Sequence, residues 1–322
     1  MIRLDLSKCQ GFVHHRSGWN FCISQLKKFH SRSGIFVDDF MERSFSWQLE
    51  SYYGGKNIYN LPYQKEWVGF LHNPPNAPSW FDVYHSPQAI LNRDVFQESL
   101  RFCRCLITLS DYLKEWLQTK VNVPVISVKH PTEIPSQKWC AEAFSSQRPR
   151  PIVQLGYWLR KFNSIYKLKC GPLYKRIWLP SNYEYALYLQ GLLDKHDKQH
   201  KEKQFELHGV EVCKFKPNRE YDNLICSCVV LVDLYDSSAN NAIIECIARN
   251  TPILVNKIPP VVEYLGEDYP LYFNNIEEAN NLIRDTDNIF SAHYYLKNMD
   301  KRWLSGAYFS KLLHSKLSEV LI

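Results

Sequence analysis

The stretch from Ser227 to Phe273 constrains the fold of this chain more than any other. It runs S-C-V-V-L-V-D-L-Y-D-S-S-A-N-N-A-I-I-E-C-I-A-R-N-T-P-I-L-V-N and continues K-I-P-P-V-V-E-Y-L-G-E-D-Y-P-L-Y-F. Cys228 to Val232 is a β-branched run short enough for a strand buried on both faces. Asp233 to Asn240 is small and polar, and Ser238 or Asn240 can cap a helix that follows. Ala239 to Arg249 carries Ala242, Ile243, Cys246 and Ile247 at helical spacing, and Asn250 suits a left-handed terminator. Pro252 to Val255 returns to strand, and Pro259-Pro260 opens another helix. The pattern is βαβ, the unit of a parallel sheet, whose ligands bind beyond the C-terminal ends of the strands.

One glutamate, Glu245, sits within this unit in the first turns of the helix, on the side opposite its most apolar residues or at their border. Spacing alone reads it equally as a solvated helix residue. The segment N-A-I-I-E-C-I-A-R-N-T-P-I-L-V resembles the C-terminal-domain signature of GT-B glycosyltransferases of the retaining, group 1 or family 4 type. That resemblance implies an α/β fold of two Rossmann-like domains facing across a cleft, with a C-terminal helix crossing back to the first domain. It implies residues 1–140 as the acceptor-side domain, 150–295 as the nucleotide-sugar domain and 296–322 as the returning helix. The implied reaction moves a sugar from a nucleotide-sugar, UDP- or GDP-linked, to an acceptor, with no metal and no further cofactor. In that reading Glu245 holds the donor ribose, with Ser238, Asn240 and Asn241 on the same loop. The pattern departs from the family at one place: the glutamate usual eight positions earlier is Ser237, beside Asp236, which leaves the sugar and the stereochemistry open. A sugar-nucleotide epimerase of the same fold, or a non-catalytic nucleotide-sugar-binding protein, stands as the alternative. The acceptor remains open among a glycan, a lipid-linked sugar, a protein and modified DNA.

At 322 residues the chain is too long for one ordinary core. A hydrophobic share of 45% and a charged share of 22% are those of a globular protein in water. The net charge of +6 favours anionic ligands or a membrane surface. A pI of about 8.7 falls short of a dedicated nucleic-acid domain. The start Met1-Ile2-Arg3-Leu4-Asp5 has no apolar core of a signal peptide, and no segment reaches the roughly 18 apolar residues of a membrane span. The ten cysteines are scattered, and the C-x-C pairs Cys103/Cys105 and Cys226/Cys228 are expected to share one strand face rather than to bind zinc. Reduced thiols and a cytoplasmic location follow as expectations.

Along the chain, Cys9 to Val13 reads as a strand running into H-H-R-S-G-W and a helix from Trp19 to about His30. The turn at Gly18 is one where backbone amides face a ligand, and it resembles the first loop of GT-B enzymes; a tight turn with exposed basic side chains fits as well. The basic end of that helix suits the helix dipole and also peripheral contact with an anionic membrane. Gly34 to Val37 is a strand ending at Asp38-Asp39, and residues 40–65 carry no readable pattern. Trp67 to Leu71 delivers His72 at a strand end before the rigid Asn73-Pro74-Pro75-Asn76-Ala77-Pro78. His72 is thus a candidate general base, with Asp39 as the runner-up, or a histidine that only bonds its loop. Further strands are expected at Arg104–Leu109, Val123–Val128, Ile152–Leu155 and Tyr174–Leu179, with Ser110 capping a helix at Asp111–Thr119. Residues 130–150 read as a linker. After Leu155, Gly156 and then Arg160 and Lys161 match the glycine and diphosphate-clamping cations of GT-B enzymes, although an exposed basic turn has the same residues. A helix at Asn182–Leu193 precedes a charge run, 194–203, expected to be a solvated loop. Strand material is expected at Phe205–His208 and Val210–Phe215, then helices at Glu220–Ile225, Ile276–Arg284 and 292–321. Tyr294, Tyr295, Trp303 and Phe309 are the expected aromatic anchors of the last segment.

Overall fold

The computed structural model describes residues 2–9, 18–47, 49, 60–81, 83–200 and 208–321. Among them two wholly parallel sheets form, one from each half of the chain. The first contains β1 (Leu4–Asp5), β2 (Ile35–Asp38), β3 (Trp67–Leu71), β4 (Cys103–Thr108) and β5 (Val125–Ser127), side by side in sequence order. The second contains β6 (Arg150–Leu155), β7 (Tyr174–Leu179), β8 (Val210–Val212), β9 (Val229–Val232), β10 (Ile253–Asn256) and β11 (Tyr272–Phe273). Its order is β11-β10-β9-β6-β7-β8. The first strand of the chain is thus at Leu4–Asp5; the strand expected from Cys9 to Val13 lies almost wholly outside the described residues.

Parallel strands covered by helices on both faces must be apolar throughout, and Val229–Val232 and Trp67–Leu71 are buried at every position. Period-two alternation sends Val68 and Phe70 to one face of the first sheet and Trp67 and Leu71 to the other. A register shift between Trp67 and Val68 places Val68 opposite Cys105 where Trp67 faces Cys103. The extra residue turns Cys103 and Cys105 into different clusters, one per face, which corrects the expectation of a shared face. All ten cysteines are free thiols.

Helix ends follow their capping residues. Ser110 accepts the N–H of Leu113 at the start of the Asp111–Gln118 helix, and Asn250 ends the Asn241–Arg249 helix with φ at 60°. The Tyr183–Gln199 helix runs on into the charge run expected to be a loop. Ala186, Leu189 and Leu193 extend one buried stripe, and Gln190 bonds Asp194 one turn on, so the helix continues past Leu193. Residues 130–150 do not form a free linker either. Trp139 is buried and donates to the Cys228 carbonyl at 2.8 Å, and Phe144 of the Ala141–Ser146 helix joins the core of the second sheet.

The closing helix, Gly306–Leu321, returns to the first domain. Phe309, Leu313 and Leu317 enter its core beside Leu26, Ile23 and Ile107. Of the expected anchors, Trp303 packs edge-on against Tyr264 and Tyr295 donates to the Leu265 carbonyl, whereas Tyr294 is exposed. Among the described residues no helix is long and apolar enough to cross a membrane.

Candidate active site

The strand order of the second sheet locates its ligand crevice. From β6 the chain winds outward through β7 and β8, then returns to the other side of β6 with β9 and winds outward again. The loops leaving β6 and β9 therefore diverge over opposite faces, and a crevice opens between them beyond Leu155 and Val232. The two loops pair with each other at its floor: Lys161 N–H donates to Asp233 O at 2.8 Å and Tyr235 N–H to Leu159 O at 3.0 Å. Gly156 begins the first loop at φ +77°, and a β-carbon there would sit 3.2 Å from the Arg160 guanidinium. Only glycine satisfies both constraints without strain.

Arg160 is folded back on this loop. Its Nε donates to Leu155 O at 3.1 Å, Nη1 to Trp158 O at 2.7 Å and Nη2 to Asn240 Oδ1 at 3.2 Å. Three of its five N–H groups are therefore engaged among the described residues. Burial lowers its pKa to about 10, so it stays charged at neutral pH. Lys161 pairs with Asp233 at 2.9 Å and keeps 40% of its side chain exposed toward solvent. The two cations lie beside the crevice, each already held by groups of the protein.

The β9 loop leads into the Asn241–Arg249 helix, whose N-terminus points into the crevice. Asn240 caps it, with Oδ1 accepting from the N–H groups of Ala242 and Ile243 at 3.1 and 3.4 Å. Asn241 is exposed at the first helical position, while Ser237 and Ser238 are buried. The helix is buried from Ala242 to Arg249, because sheet and neighbouring helices surround it. Glu245 is consequently 6% exposed, and the solvated reading does not hold. Tyr221, on the preceding Asn218–Ile225 helix, donates its hydroxyl to Glu245 Oε2 at 2.5 Å. One turn on, Arg249 bonds the Glu245 carbonyl at 3.3 Å and the Asp222 carboxylate at 2.9 Å.

The first domain brings Gly18, Asp39 and His72 to one place. Gly18 precedes the Trp19–Leu26 helix, and the Trp19 indole meets the His72 ring edge-on at 4.5 Å. His72 stacks on Phe40 at 4.0 Å and its Nε2 lies 3.0 Å from the Asp39 carbonyl. A carbonyl can only accept, so Nε2 carries the proton and Nδ1 the lone pair. Burial pulls the imidazole pKa down to about 3, which keeps it neutral. Asp39 itself is 1% exposed, ion-paired with Arg43 at 2.5 Å, and takes the Trp19 N–H at 3.1 Å. That environment suits it to holding Trp19 and Arg43 rather than to receiving a proton. His14 and His15 lie outside the described residues.

Three further carboxylates lie at this site and the domain boundary, and sequence reasoning passed over two of them, Glu42 and Glu263. Glu42, in the stretch without readable pattern, is fully buried and accepts the backbone N–H groups of His72 at 2.8 Å and Asn73 at 2.5 Å. Burial lifts its pKa to about 7, against the pull of those two amides. Asp236 joins the domains: Oδ2 accepts from Asn76 N–H at 2.8 Å and from the Tyr112 hydroxyl at 3.1 Å. Glu263 crosses the same boundary and takes the N–H groups of Asp111 and Tyr112 at 2.8 and 3.1 Å, at the N-terminus of a first-domain helix. Ser110 and Ser238 add a hydroxyl pair at 3.0 Å. None of these contacts has a periodic signature, because each is long-range. Only Asp236, next to the missing glutamate, gave any hint. Among the described residues no cluster of His, Cys, Asp or Glu is arranged to hold a metal ion. A cavity of about 510 Å³ at the far end of the second sheet, lined by Lys169, Tyr174 and Gly209, is remote from this chemistry.

Two parallel α/β domains, a switch-point crevice between them and a returning terminal helix define the GT-B fold. No family model matches the chain, and no curated protein matches it by sequence. Among solved structures it is similar to HepE of Anabaena in complex with UDP and glucose, with a TM-score of 0.58 and 16% identity over 79% of this chain and 71% of that one. It is similar also to the trehalose-6-phosphate synthase OtsA, at a TM-score of 0.55 and 11% identity over 94% and 76% of the two chains. A UDP-forming α,α-trehalose-phosphate synthase from Burkholderia vietnamiensis gives a TM-score of 0.52 at 11% identity, over 89% of this chain and 72% of that one.

Proposed function

We propose that this chain is a glycosyltransferase that moves a sugar from a UDP- or GDP-linked donor to an acceptor hydroxyl, without a divalent metal. The observation that carries the reading is Glu245, a carboxylate buried in the helix whose N-terminus points into the switch-point crevice. This carboxylate accepts the Tyr221 hydroxyl, and the vicinal hydroxyls of a ribose are further donors suited to it. The donor diphosphate then lies against the helix N-terminus, Asn241 and Ser238, with Arg160 and Lys161 as the cations that meet its charge. His72, neutral and with Nδ1 as acceptor, faces the acceptor side as the general base or sugar contact, and Asp39 holds its surroundings. HepE, of like fold, is described in complex with UDP and glucose, which makes UDP the first nucleotide to test.

Calorimetric titration with UDP, GDP and ADP tests the assignment. One of them should bind, and Glu245→Ala should weaken it at least about tenfold, the scale of a hydrogen bond to a charged group. Absence of binding by all three, or an affinity indifferent to Glu245→Ala, overturns the reading. The matching nucleotide-sugar should then give transfer in excess chelator, and recovery only with manganese or magnesium would remove the metal-free part. Ser237 in place of the glutamate supports one second reading, a protein that binds the donor without turning it over; it would bind in calorimetry yet release no sugar and transfer none. An epimerase would give product from the donor alone.

A further inference from the structure

Tyr221 lies on the Asn218–Ile225 helix, outside every loop that borders the crevice, yet its hydroxyl reaches the one carboxylate in the neighbouring helix. The contact is short, 2.5 Å, as expected when a phenol donates to a charged oxygen. Burial and the Glu245 charge both push the Tyr221 pKa well up, so the phenol keeps its proton and can only be the donor in this pair.

We infer that Tyr221 is a positioning residue that fixes the Glu245 carboxylate for recognition of a ribose diol, and so sets the preference of this site for ribonucleotides over deoxyribonucleotides. The inference rests on the nucleotide-sugar reading given above. A glutamate has three rotatable bonds, and an unheld carboxylate would have to be ordered anew when the diol arrives. With one oxygen held by a phenol, the carboxylate plane is set before the ligand enters. A carboxylate has about four lone-pair positions, so the bond from Tyr221 does not by itself exhaust it. The partner helix is held in register by a second, separate link one turn further on, Arg249 to Asp222 at 2.9 Å. Tyr221 and Asp222 are adjacent in sequence but do different work: one touches the carboxylate, the other only the helix that carries it.

The experiment compares calorimetric affinities of UDP, GDP and ADP, and then of the tightest one against its 2′-deoxy and 3′-deoxy counterparts. It uses the wild type, Tyr221→Phe and Asp222→Asn. The wild type should favour the ribonucleotide by about ten- to a hundredfold, the range of a hydrogen bond to a charged group. Tyr221→Phe should keep the fold and cut that preference by about three- to tenfold, because the carboxylate loses the hydrogen bond that holds Oε2 while the ribose hydroxyls remain. Asp222→Asn should lower thermal stability and leave the preference as in the wild type. A ribose preference in Tyr221→Phe equal to the wild type overturns the role of Tyr221 and spares the nucleotide-sugar reading. An equal loss in Asp222→Asn reduces Tyr221 to helix packing and overturns it as well. Absence of any nucleotide binding by the wild type overturns both.

Discussion

At the scale of a single residue, Glu42 links protonation to the candidate base. Its carboxyl is fully buried, and Oε1 alone holds the two backbone N–H groups that begin the loop after His72. The pKa rises from 4.5 to about 7 because burial penalises the charged form more than the two amides favour it. The protonated acid is therefore the form the folded state prefers. The stability it contributes is complete below its unfolded value near 4.5 and is lost as the pH climbs through about 7. A shift of this size corresponds to about 3 kcal/mol, as an upper figure. Glu42→Gln keeps an acceptor for the two amides and cannot ionise. Urea unfolding at several values between roughly pH 5 and 8 should show the wild type losing stability on the alkaline side and the variant nearly level. Parallel pH curves for the two proteins would refute this account. Glu42 was not legible in the sequence, because residues 40–65 carry neither helical nor strand periodicity. Its burial goes with the loop after His72, some thirty residues away, whose amides it holds, and no local pattern encodes that meeting.

At the scale of the element, the Asn241–Arg249 helix carries most of the groups proposed for the donor side, and its N-cap does two things at once. Asn240 Oδ1 accepts from Ala242, Ile243 and the Arg160 guanidinium. Removing it leaves helix amides unpaired and releases one arm of Arg160. Asn240→Ala should cost about 0.5–2 kcal/mol of stability, as capping substitutions do. Asn240→Asp keeps the acceptor oxygen and ranks equally as a cap, so it should retain most of that stability. Chemical denaturation of the three proteins decides it, and an alanine variant as stable as the wild type would show that the cap is dispensable. This helix, the strands on either side and the left-handed stop at Asn250 were all readable in the sequence, since β-branched runs, capping residues and the 3.6 period are local signals. The direction of Arg160 was not. Whether a guanidinium faces a ligand or its own loop depends on carbonyls that only the folded turn brings together.

At the scale of the molecule, the two domains are joined by the terminal helix and by polar contacts at the cleft. Tyr264 donates to the Leu109 carbonyl at 2.5 Å and accepts from the His130 N–H at 3.1 Å, beside the Glu263 and Asp236 contacts. Leu313, 1% exposed, anchors the returning helix in the core of the first domain. Leu313→Ala should lower the unfolding free energy by about 2–5 kcal/mol, the range for deleting a buried leucine side chain. A loss below roughly 0.5 kcal/mol, typical of a surface position, would show that the helix is not held there.

The sequence by itself determined the parallel α/β class, the βαβ unit of Ser227 to Phe273 and the caps at Ser110 and Asn250. Each of these rests on neighbours within a turn or a strand, so composition and period suffice to reveal it, whereas Gly156 and Glu245 stood out as candidate site residues only through the family resemblance. The tertiary structure decided everything that depends on which distant segments meet. It set the register shift that parts Cys103 from Cys105, the burial of Glu245 on all sides and its bond to Tyr221, and the hold of Glu42 on the loop after His72. It also placed Asp236 and Glu263 across the domain boundary. The physical reason is the same in each case. A buried charge is tolerated only where donors converge on it, and in this chain those donors come from residues far apart in sequence.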